Sequence, residues 1–432
     1  MKKNIFMFII WKNGMDEYDK ILADIKKAFK VRNIFKIIWD DEQWANNLSR
    51  FYGTSLPNES DKEVHCGKEY FKLIIVEDMK PKYDFRMTSH GKSYVNINMF
   101  DKKTLYREWT GGGHKIHATN DEDETNHDLT LLFGVNTEDF LKKYKKNIKE
   151  KLYNKNLVGN DKWNSIEELF YVLNNTTNYV VLRDYDNDFE EAYNIKDYDI
   201  DMLCENTQDT NWILNGKEVY LDNHIQYVIK LKDNEPIIDL KSINDGYYDQ
   251  KLSKDLLKTK ILHNGYYIPE REMAYYSCLY HALIHKDNFE TEYNDRLNYV
   301  FPEYHSIEFD KEHYCDIISK WLKNNKYEVV PQKSNPYKMN IENIKLIDSR
   351  LYNENIFEEI ELRINNSNLK KTIGSNNEQL LEKEAIIEEL KKEISDLNND
   401  IELVSKDYAR VINSKGWKML EKMRKIRNKI SQ

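Results

Sequence analysis

Isoleucine, leucine and valine recur with a seven-residue period near the C-terminal end of the sequence. One position of the repeat holds Ile387, Ile394, Ile401 and Tyr408, the position three residues later holds Leu390, Leu397, Val404 and Val411, and Leu380 lies one heptad earlier. Isoleucine at the first position and leucine at the second favour two parallel helices that pair through this seam. A helix packed against its own domain would follow a period of about 3.6 residues rather than about 3.5. The repeat therefore predicts a parallel coiled coil over residues 376–412, and with it a homodimer.

The segments on either side of the repeat differ from it in composition. Residues 364–375 are polar and rich in asparagine, which predicts a linker that acts as a hinge. Residues 413–432 form a basic amphipathic tail, in which Lys415–Ile430 carries Trp417, Leu420 and Met423 on one side. A helix of this kind is typical of peripheral contact with an anionic membrane surface, here the inner face of the membrane. A solvated basic tail that caps the coiled coil explains the same pattern.

The charge balance and the cysteines restrict the class of protein. A net charge of −9 argues against general nucleic-acid binding, because neutralising phosphates needs a basic surface. The four cysteines are scattered without CxxC spacing, as expected for reduced thiols. The apolar run Asn4–Trp11 is too short to span a bilayer and is typical of a buried strand. We find no secretory or transmembrane pattern and expect a cytoplasmic protein.

Apolar runs divide the remainder of the chain into two predicted domains of the α+β class. Residues 1–145 alternate strand-like runs with amphipathic stretches, which indicates a sandwich of sheet and helices. Residues 155–363 begin with a helix at 165–173, continue with several strand candidates, and end in a helical region after residue 290. The strand candidates of this second domain are YVVLRD, DIDMLC, HIQYVIKL and PIIDLKS.

Two of these strand candidates carry acidic residues in a pattern that suggests chemistry. Asp199 and Asp201 alternate with apolar residues, so both carboxylates lie on one face of a strand while Ile200 packs behind them. Asp239 is a single acid in another apolar strand. Neighbouring carboxylates repel each other, and a site that keeps them usually binds a divalent cation. The pattern predicts a Mg²⁺ or Mn²⁺ site formed by these three residues, although acids on an exposed strand with a structural role explain it as well.

This arrangement over residues 160–290 resembles the nucleotidyltransferase superfamily, in which a D-x-D strand and a third aspartate hold the metal. The resemblance implies a mixed sheet with helices, metal ligands at Asp199 and Asp201, and a third ligand or catalytic base at Asp239. The family's glycine turn for the triphosphate is absent, since Leu182–Asp184 stands in its place, and Arg183 becomes the candidate phosphate contact. Variants of this type, including a segment like Tyr280–Lys286, resemble enzymes of bacterial surface-polysaccharide assembly.

Two histidines in that last segment are spaced four residues apart. His281 and His285 would lie on one face of a helix, a geometry that can bind a metal. No third ligand is evident nearby. The more common interpretation of such a pair is one packed and one exposed histidine.

A glycine-rich turn in the first domain suggests a second site. Gly111–Asn120 precedes an acid-rich helix start that residue 120 or 121 can cap, and a helix N-terminus beside free amides suits phosphate. The segment His117–Phe133 resembles the end of nucleoside diphosphate kinases. The resemblance implies a ferredoxin-like fold, a phosphoryl-accepting His117, and phosphate contacts from four further residues, Lys12, Tyr52, Arg86 and Arg107. The family's lysine-proline-aspartate motif is here Lys12–Asn13–Gly14, and the glycines can equally form a simple tight turn.

Together these patterns predict a metal-dependent nucleotidyl- or phosphoryl-transferase that binds a nucleotide or a nucleotide-activated substrate. The resemblances place it in cell-surface polysaccharide biosynthesis. Two alternatives fit the same residues: a non-catalytic coiled-coil scaffold that recruits polysaccharide enzymes, and a nucleotidyltransferase that modifies protein or RNA.

Overall fold

The computed structural model describes residues 4–88, 91–183, 199–221, 224–286, 293–304, 310–333, 339–353 and 355–430. The chain forms two compact units, Met1–Glu361 and Leu362–Gln432. The first is a mixed α+β unit with two five-stranded sheets, and the second is helical. The α+β class expected from the sequence is confirmed.

Strands and helices of the first 154 residues are labelled in chain order. The strands are β1 Ile5–Ile10, β2 Lys30–Ile38, β3 Phe71–Glu77, β4 Tyr83–Thr88, β5 Gly91–Asn96, β6 Ile116–Ala118 and β7 Asn147–Asn154. The helices are α1 Tyr18–Ala28, α2 Trp44–Tyr52, α3 Asp61–Cys66, α4 Ile97–Trp109, α5 Glu122–Phe133 and α6 Thr137–Lys143. Short 3-10 helices lie at Lys12–Glu17 and Asp41–Gln43.

The first sheet has the strand order β6-β1-β3-β2-β7. Pairs β1–β3, β1–β6 and β2–β3 are antiparallel, and β7 joins β2 in parallel. All six residues of β1 are buried because apolar side chains pack on both faces of this inner strand. β4 and β5 form a separate hairpin. Since β7 belongs to this sheet, it extends past the predicted domain end at residue 145.

The remaining elements of the first unit follow the same labelling. The strands are β8 Tyr179–Val181, β9 Asp199–Cys204, β10 Lys217–Leu221, β11 His224–Val228, β12 Ile237–Ser242, β13 Ile261–His263 and β14 Tyr266–Ile268. The helices are α7 Ile166–Thr176, α8 Thr207–Leu214, α9 Gln250–Thr259, α10 Arg271–Ile284, α11 Asn294–Val300, α12 Lys311–Asn325 and α13 Ile341–Leu346, with a 3-10 helix at Ser349–Leu351.

The second sheet has the strand order β10-β11-β12-β9-β8. Its centre is the parallel pair β9–β12, flanked by antiparallel pairs on each side. Both sheets belong to one unit, and Arg50 links the segments that carry them: its buried guanidinium donates to the carbonyls of Val158, Trp212 and Ile213 at 2.8–3.0 Å. The boundary predicted between residues 145 and 155 therefore falls inside a single unit.

Side-chain caps set two helix starts that the sequence indicated. Ser165 accepts a hydrogen bond from the amide of Glu168 at the start of α7, and Asp121 accepts one from Glu124 at the start of α5. Both caps satisfy amides that have no partner within the first helical turn. The prediction that residue 120 or 121 caps α5 is confirmed, with Asp121 in that role.

The C-terminal part consists of α14 Ile356–Asn413 and α15 Lys415–Ile430. Helix α14 runs without a break through residues 364–375, the segment predicted as a linker. Asparagine and glycine lower helix propensity by less than about 1 kcal/mol each, and the segment has no proline, so its polar composition reflects exposure rather than a helix end. The heptad side chains are exposed in the single chain, from 48% at Ile387 to 67% at Val404.

Among the described residues, no helix is long and apolar enough to cross a membrane.

Candidate metal centre

The second sheet brings together the three acids that the sequence singled out. In the parallel pair β9–β12, Asp201 lies opposite Asp239 in register, and Asp199 lies two residues before Asp201 on the same face. One carboxylate oxygen from each of the three residues lies within 4.8 Å of the other two. Ile200 points to the other face and is 1% exposed, as the alternation predicts.

Cationic side chains contact two of the three acids. Arg183, directly after β8, places Nη2 2.6 Å from Oδ2 of Asp201. Lys241 places Nζ 2.6 Å from Oδ1 of Asp239, and His224 Nε2 lies 2.9 Å from Oδ2 of the same residue. Among the described residues no ion pair reaches Asp199. The charge of the three acids is therefore partly neutralised, and Asp199 is the acid without an ion pair among the described residues.

Lys241 and His224 were missed in the sequence. Lys241 is two residues after Asp239 on β12, so strand alternation alone places both on one face. His224 reaches Asp239 from β11, and that pairing depends on strand register, which the sequence does not reveal.

The pKa values of the acids are pushed in opposite directions. Burial, together with the charges of Asp201 and Asp239, raises the pKa of Asp199 to about 6. Burial also opposes ionisation of Asp239, but Lys241 and His224 outweigh it and hold the pKa of that carboxyl well below its usual range. Asp239 is thus a permanent anion, whereas Asp199 exchanges its proton close to neutral pH.

A cavity of about 160 Å³ opens in front of the acids. Its described lining is polar and comes from both the sheet and the helical region that follows. Beyond the acids and their ion-pair partners, the lining residues are Gln226, Tyr247, His281, His285, Lys286, Tyr293 and Gln332. The volume suits a small chemical group together with an ion, and the polar lining favours a polar group over an apolar one.

A buried chain of hydrogen bonds leads from the acids to the far side of the cavity. Arg183 donates through Nη1 to the hydroxyl of Tyr247 at 2.8 Å, and Tyr247 in turn bonds Nδ1 of His281. Nε2 of His281 lies 3.1 Å from the hydroxyl of Tyr293. Burial, and then the charge of Arg183, hold the pKa of His281 well below its usual range, so its ring is neutral. The chain fixes Arg183 against Asp201.

The expectation of one packed and one exposed histidine on this helix is wrong. His281 is 6% exposed and His285 is 2% exposed, because α10 is buried on nearly all sides from Ala274 to Ile284. His281 is hydrogen-bonded at both ring nitrogens. Both ring nitrogens of His285 are buried without a hydrogen-bond partner among the described residues. Asp184, part of the turn that replaces the family's glycines, lies outside the described residues.

The predicted kinase-like residues of the first sheet are only partly brought together. His117 on β6 is 9% exposed, and its Nε2 lies 3.1 Å from Oδ2 of Asp128 and 3.9 Å from Oε1 of Glu124. These three side chains form a second group whose geometry could hold a metal ion. The Tyr52 ring lies 5.9 Å from the His117 ring, between their centroids.

Of the other three predicted phosphate contacts, Arg107 lies close to His117 and Tyr52, whereas Lys12 and Arg86 are engaged elsewhere. Arg107 donates through Nε to the carbonyl of Ile116 at 2.9 Å, Lys12 pairs with Glu69, and Arg86 pairs with Asp84 and Asp101 beside the β4–β5 hairpin. Gly111, Gly112 and Gly113 all have φ between 76° and 86°, so the glycine run forms the tight turn that was its simpler explanation.

Comparison of the sequence with models of known protein families finds no match, and neither curated proteins nor solved structures yield a match to the sequence or the fold.

Proposed function

We propose that the protein is a metal-dependent nucleotidyl- or phosphoryl-transferase, with Mg²⁺ or Mn²⁺ held by Asp199, Asp201 and Asp239. The observation that carries this proposal is the convergence of the three carboxylates, within 4.8 Å of one another, at the wall of a polar cavity. Carboxylate oxygens at such separations match the ligand set that hard divalent cations prefer.

Asp199 distinguishes a metal site from a structural ion-pair network. Arg183 and Lys241 already neutralise Asp201 and Asp239, so a purely structural network is complete without a third acid. Burial and its acidic neighbours raise the pKa of Asp199 to about 6, although the charge of Arg183 opposes them. A carboxylate that is unfavourable beside two others is expected where a ligand uses it.

The three acids suit a role as cation ligands. Asp239 is a poor proton acceptor, since Lys241 and His224 keep its pKa low, and it is suited to hold the cation together with Asp201. Asp199 lies on the same face as Asp201 and completes the ligand set, and a cation bound there would hold its carboxyl in the ionised form. The bound cation would neutralise charge on the phosphate oxygens and align donor with acceptor.

The resemblances supply the setting of this proposal. The mixed second sheet, with the acidic pair on β9 and the third acid on the parallel neighbour β12, supports the nucleotidyltransferase-like arrangement. The order β6-β1-β3-β2 with antiparallel neighbours supports a ferredoxin-like first sheet. Cell-surface polysaccharide assembly is then the proposed pathway. A scaffold with an inactive site, or transfer to protein or RNA, are the competing interpretations.

The helical unit supports a proposal about assembly. The exposed heptad seam of α14 has the isoleucine and leucine pattern of a parallel dimer, so we assign it to self-association. The same register continues into α15 as Lys415, Lys418, Lys422 and Lys425, which cannot form an apolar seam. Trp417, Leu420 and Met423 lie on the face of α15 opposite these lysines, as in helices that rest on anionic bilayers.

Nucleotide binding tests the proposed activity. The experiment measures how well unlabelled nucleotides displace a fluorescent nucleotide from the protein, once with Mg²⁺ and once with a chelator. The proteins compared are wild type, Asp199→Asn and the control Asp233→Asn. The side chain of Asp233 is 99% exposed, and the residue belongs to neither β9 nor β12. We expect Mg²⁺-dependent binding in wild type and Asp233→Asn and at least a tenfold loss in Asp199→Asn. Equal binding in all three proteins would contradict the proposal.

A further inference from the structure

His285 presents two unsatisfied nitrogens inside the cavity. Its ring is 2% exposed, lines the cavity, and packs against Tyr247 and Tyr280 with centroids 4.5 Å and 5.3 Å away. Neither ring nitrogen has a hydrogen-bond partner among the described residues. A buried polar atom without a hydrogen-bond partner is unfavourable, so a histidine here destabilises the fold unless something else bonds to it.

Three cations surround this ring. Arg183, Lys241 and Lys286 line the same cavity, and each of them contributes electrostatically to keeping the His285 ring neutral. Lys286 follows His285 directly in the chain, and its Nζ lies 5.9 Å from the centroid of the Tyr293 ring. A neutral imidazole between cations can still donate one N–H, whereas a charged one would be repelled. The surroundings of His285 therefore favour an anion.

The charges of the cavity indicate how much negative charge this anion carries. The three acids balance Arg183, Lys241 and Lys286, so the described lining is close to neutral before anything binds. A divalent cation on the acids leaves two positive charges to be compensated. A phosphoryl group with about two negative charges compensates them, which a single carboxylate or a neutral sugar does not.

We propose that His285 and Lys286, together with Lys241, form a subsite for the phosphoryl groups of the substrate in the cavity that the three acids line. This subsite rests on the proposed metal-dependent transfer. Lys241, which pairs with Asp239 at 2.6 Å, turns to a phosphate oxygen when a cation takes that acid, while Arg183 stays hydrogen-bonded to Tyr247.

A consequence of this exchange is that bound metal raises the affinity for phosphate, and bound phosphate raises the affinity for metal. The cation displaces Lys241 from Asp239, and the phosphate receives the lysine, so each ligand removes a cost of binding the other. We expect Mg²⁺ to raise the affinity for pyrophosphate by at least about fivefold, within the usual range of coupling between two sites.

The test measures binding of radiolabelled inorganic pyrophosphate by equilibrium dialysis, with and without Mg²⁺. Lys286→Gln removes one charge, and His285→Phe keeps the ring volume while removing both nitrogens. Lys254→Gln, a change of the same kind on the exposed face of α9, is the control. We expect at least about tenfold weaker pyrophosphate binding in the first two variants and no change in the control.

Thermal melts and Mn²⁺ titration separate the possible failures. His285→Phe removes two unsatisfied nitrogens, so we expect it to melt at the same or a higher temperature than wild type. Unchanged pyrophosphate affinity in Lys286→Gln and His285→Phe, while both bind Mn²⁺, would overturn the subsite and leave the metal centre standing. Absence of Mn²⁺ binding in wild type would instead refute the proposed function.

Discussion

Asp201 and Asp239 lie opposite each other in the parallel pair β9–β12, and each is held by a different cation, Arg183 at 2.6 Å and Lys241 at 2.6 Å. Asp199, two residues before Asp201, has no such partner among the described residues. The three acids therefore contribute unequally to stability, and this inequality leads to opposite predictions for substitutions that are chemically the same.

Asp199→Asn should stabilise the metal-free protein at neutral pH. The folded-state pKa of Asp199, about 6, is raised above its unfolded value by burial and by its acidic neighbours. Protonation therefore stabilises the fold fully below pH ~4, and this contribution is lost as pH rises through about 6. Allowing for partial exposure, we expect Asn to be more stable by roughly 1–2 kcal/mol at pH 7.5 and nearly equal at pH 4.5. Urea denaturation at both pH values measures this, and a loss of stability at pH 7.5 would contradict it.

Asp239→Asn should destabilise the protein at neutral pH. It leaves Lys241 and His224 buried without their carboxylate, and breaking a buried ion pair in this way costs about 3–5 kcal/mol. Because the folded pKa of Asp239 is depressed, its stabilisation is present above pH ~4 and is lost only as pH falls below that value. Urea denaturation at pH 7 compares the variant with wild type and with Asp233→Asn. If Asp239→Asn lowered the free energy of unfolding by less than the exposed control Asp233→Asn does, the ion pairs of Asp239 would contribute nothing to stability.

Leu397→Glu should separate the dimer. Leu397 is in the middle of the heptad seam, and a glutamate there places two carboxylates opposite each other in the pair. Ser395→Glu introduces the same side chain on the outer face and serves as the control. Sedimentation equilibrium should report a dimer for wild type and Ser395→Glu and a monomer for Leu397→Glu. A monomeric wild type would remove the coiled-coil proposal.

Leu420→Asp should weaken binding to anionic vesicles. α15 carries seven Lys and Arg residues and one acid, Glu421, and Leu420 belongs to its apolar face. Asn428→Asp lowers the net charge equally without replacing an apolar residue. With vesicles of phosphatidylserine and phosphatidylcholine, co-sedimentation should fall at least about fivefold for Leu420→Asp and much less for Asn428→Asp. An equal loss of vesicle binding in the two variants would mean that charge alone drives the contact. Equally strong binding to vesicles of pure phosphatidylcholine would mean that electrostatic attraction does not drive it.

Local patterns in the sequence predicted individual strands and helices of the site. The way these elements pack together depends on contacts between residues far apart in the chain. The strand DIDMLC and the orientation of Asp199, Asp201 and Ile200 follow from alternation alone, which is a property of every strand. The pairing of β9 with β12, across more than thirty residues, and the approach of His224 from β11 depend on register. The burial of His285 depends on elements packed around α10. The sequence also did not reveal that residues 364–375 are helical, because low helix propensity over twelve residues does not end a long helix.

Binding of Mn²⁺, followed by the electron paramagnetic resonance signal of the free ion, tests the central claim most directly. Titrations of wild type, Asp199→Asn and Asp233→Asn at pH 7.5 count the sites and give their affinities. The proposed metal centre predicts one site per chain in wild type and Asp233→Asn that is weakened at least about tenfold in Asp199→Asn. The same number of sites with the same affinity in Asp199→Asn as in wild type would contradict it, and would leave the three acids as part of a structural ion-pair network.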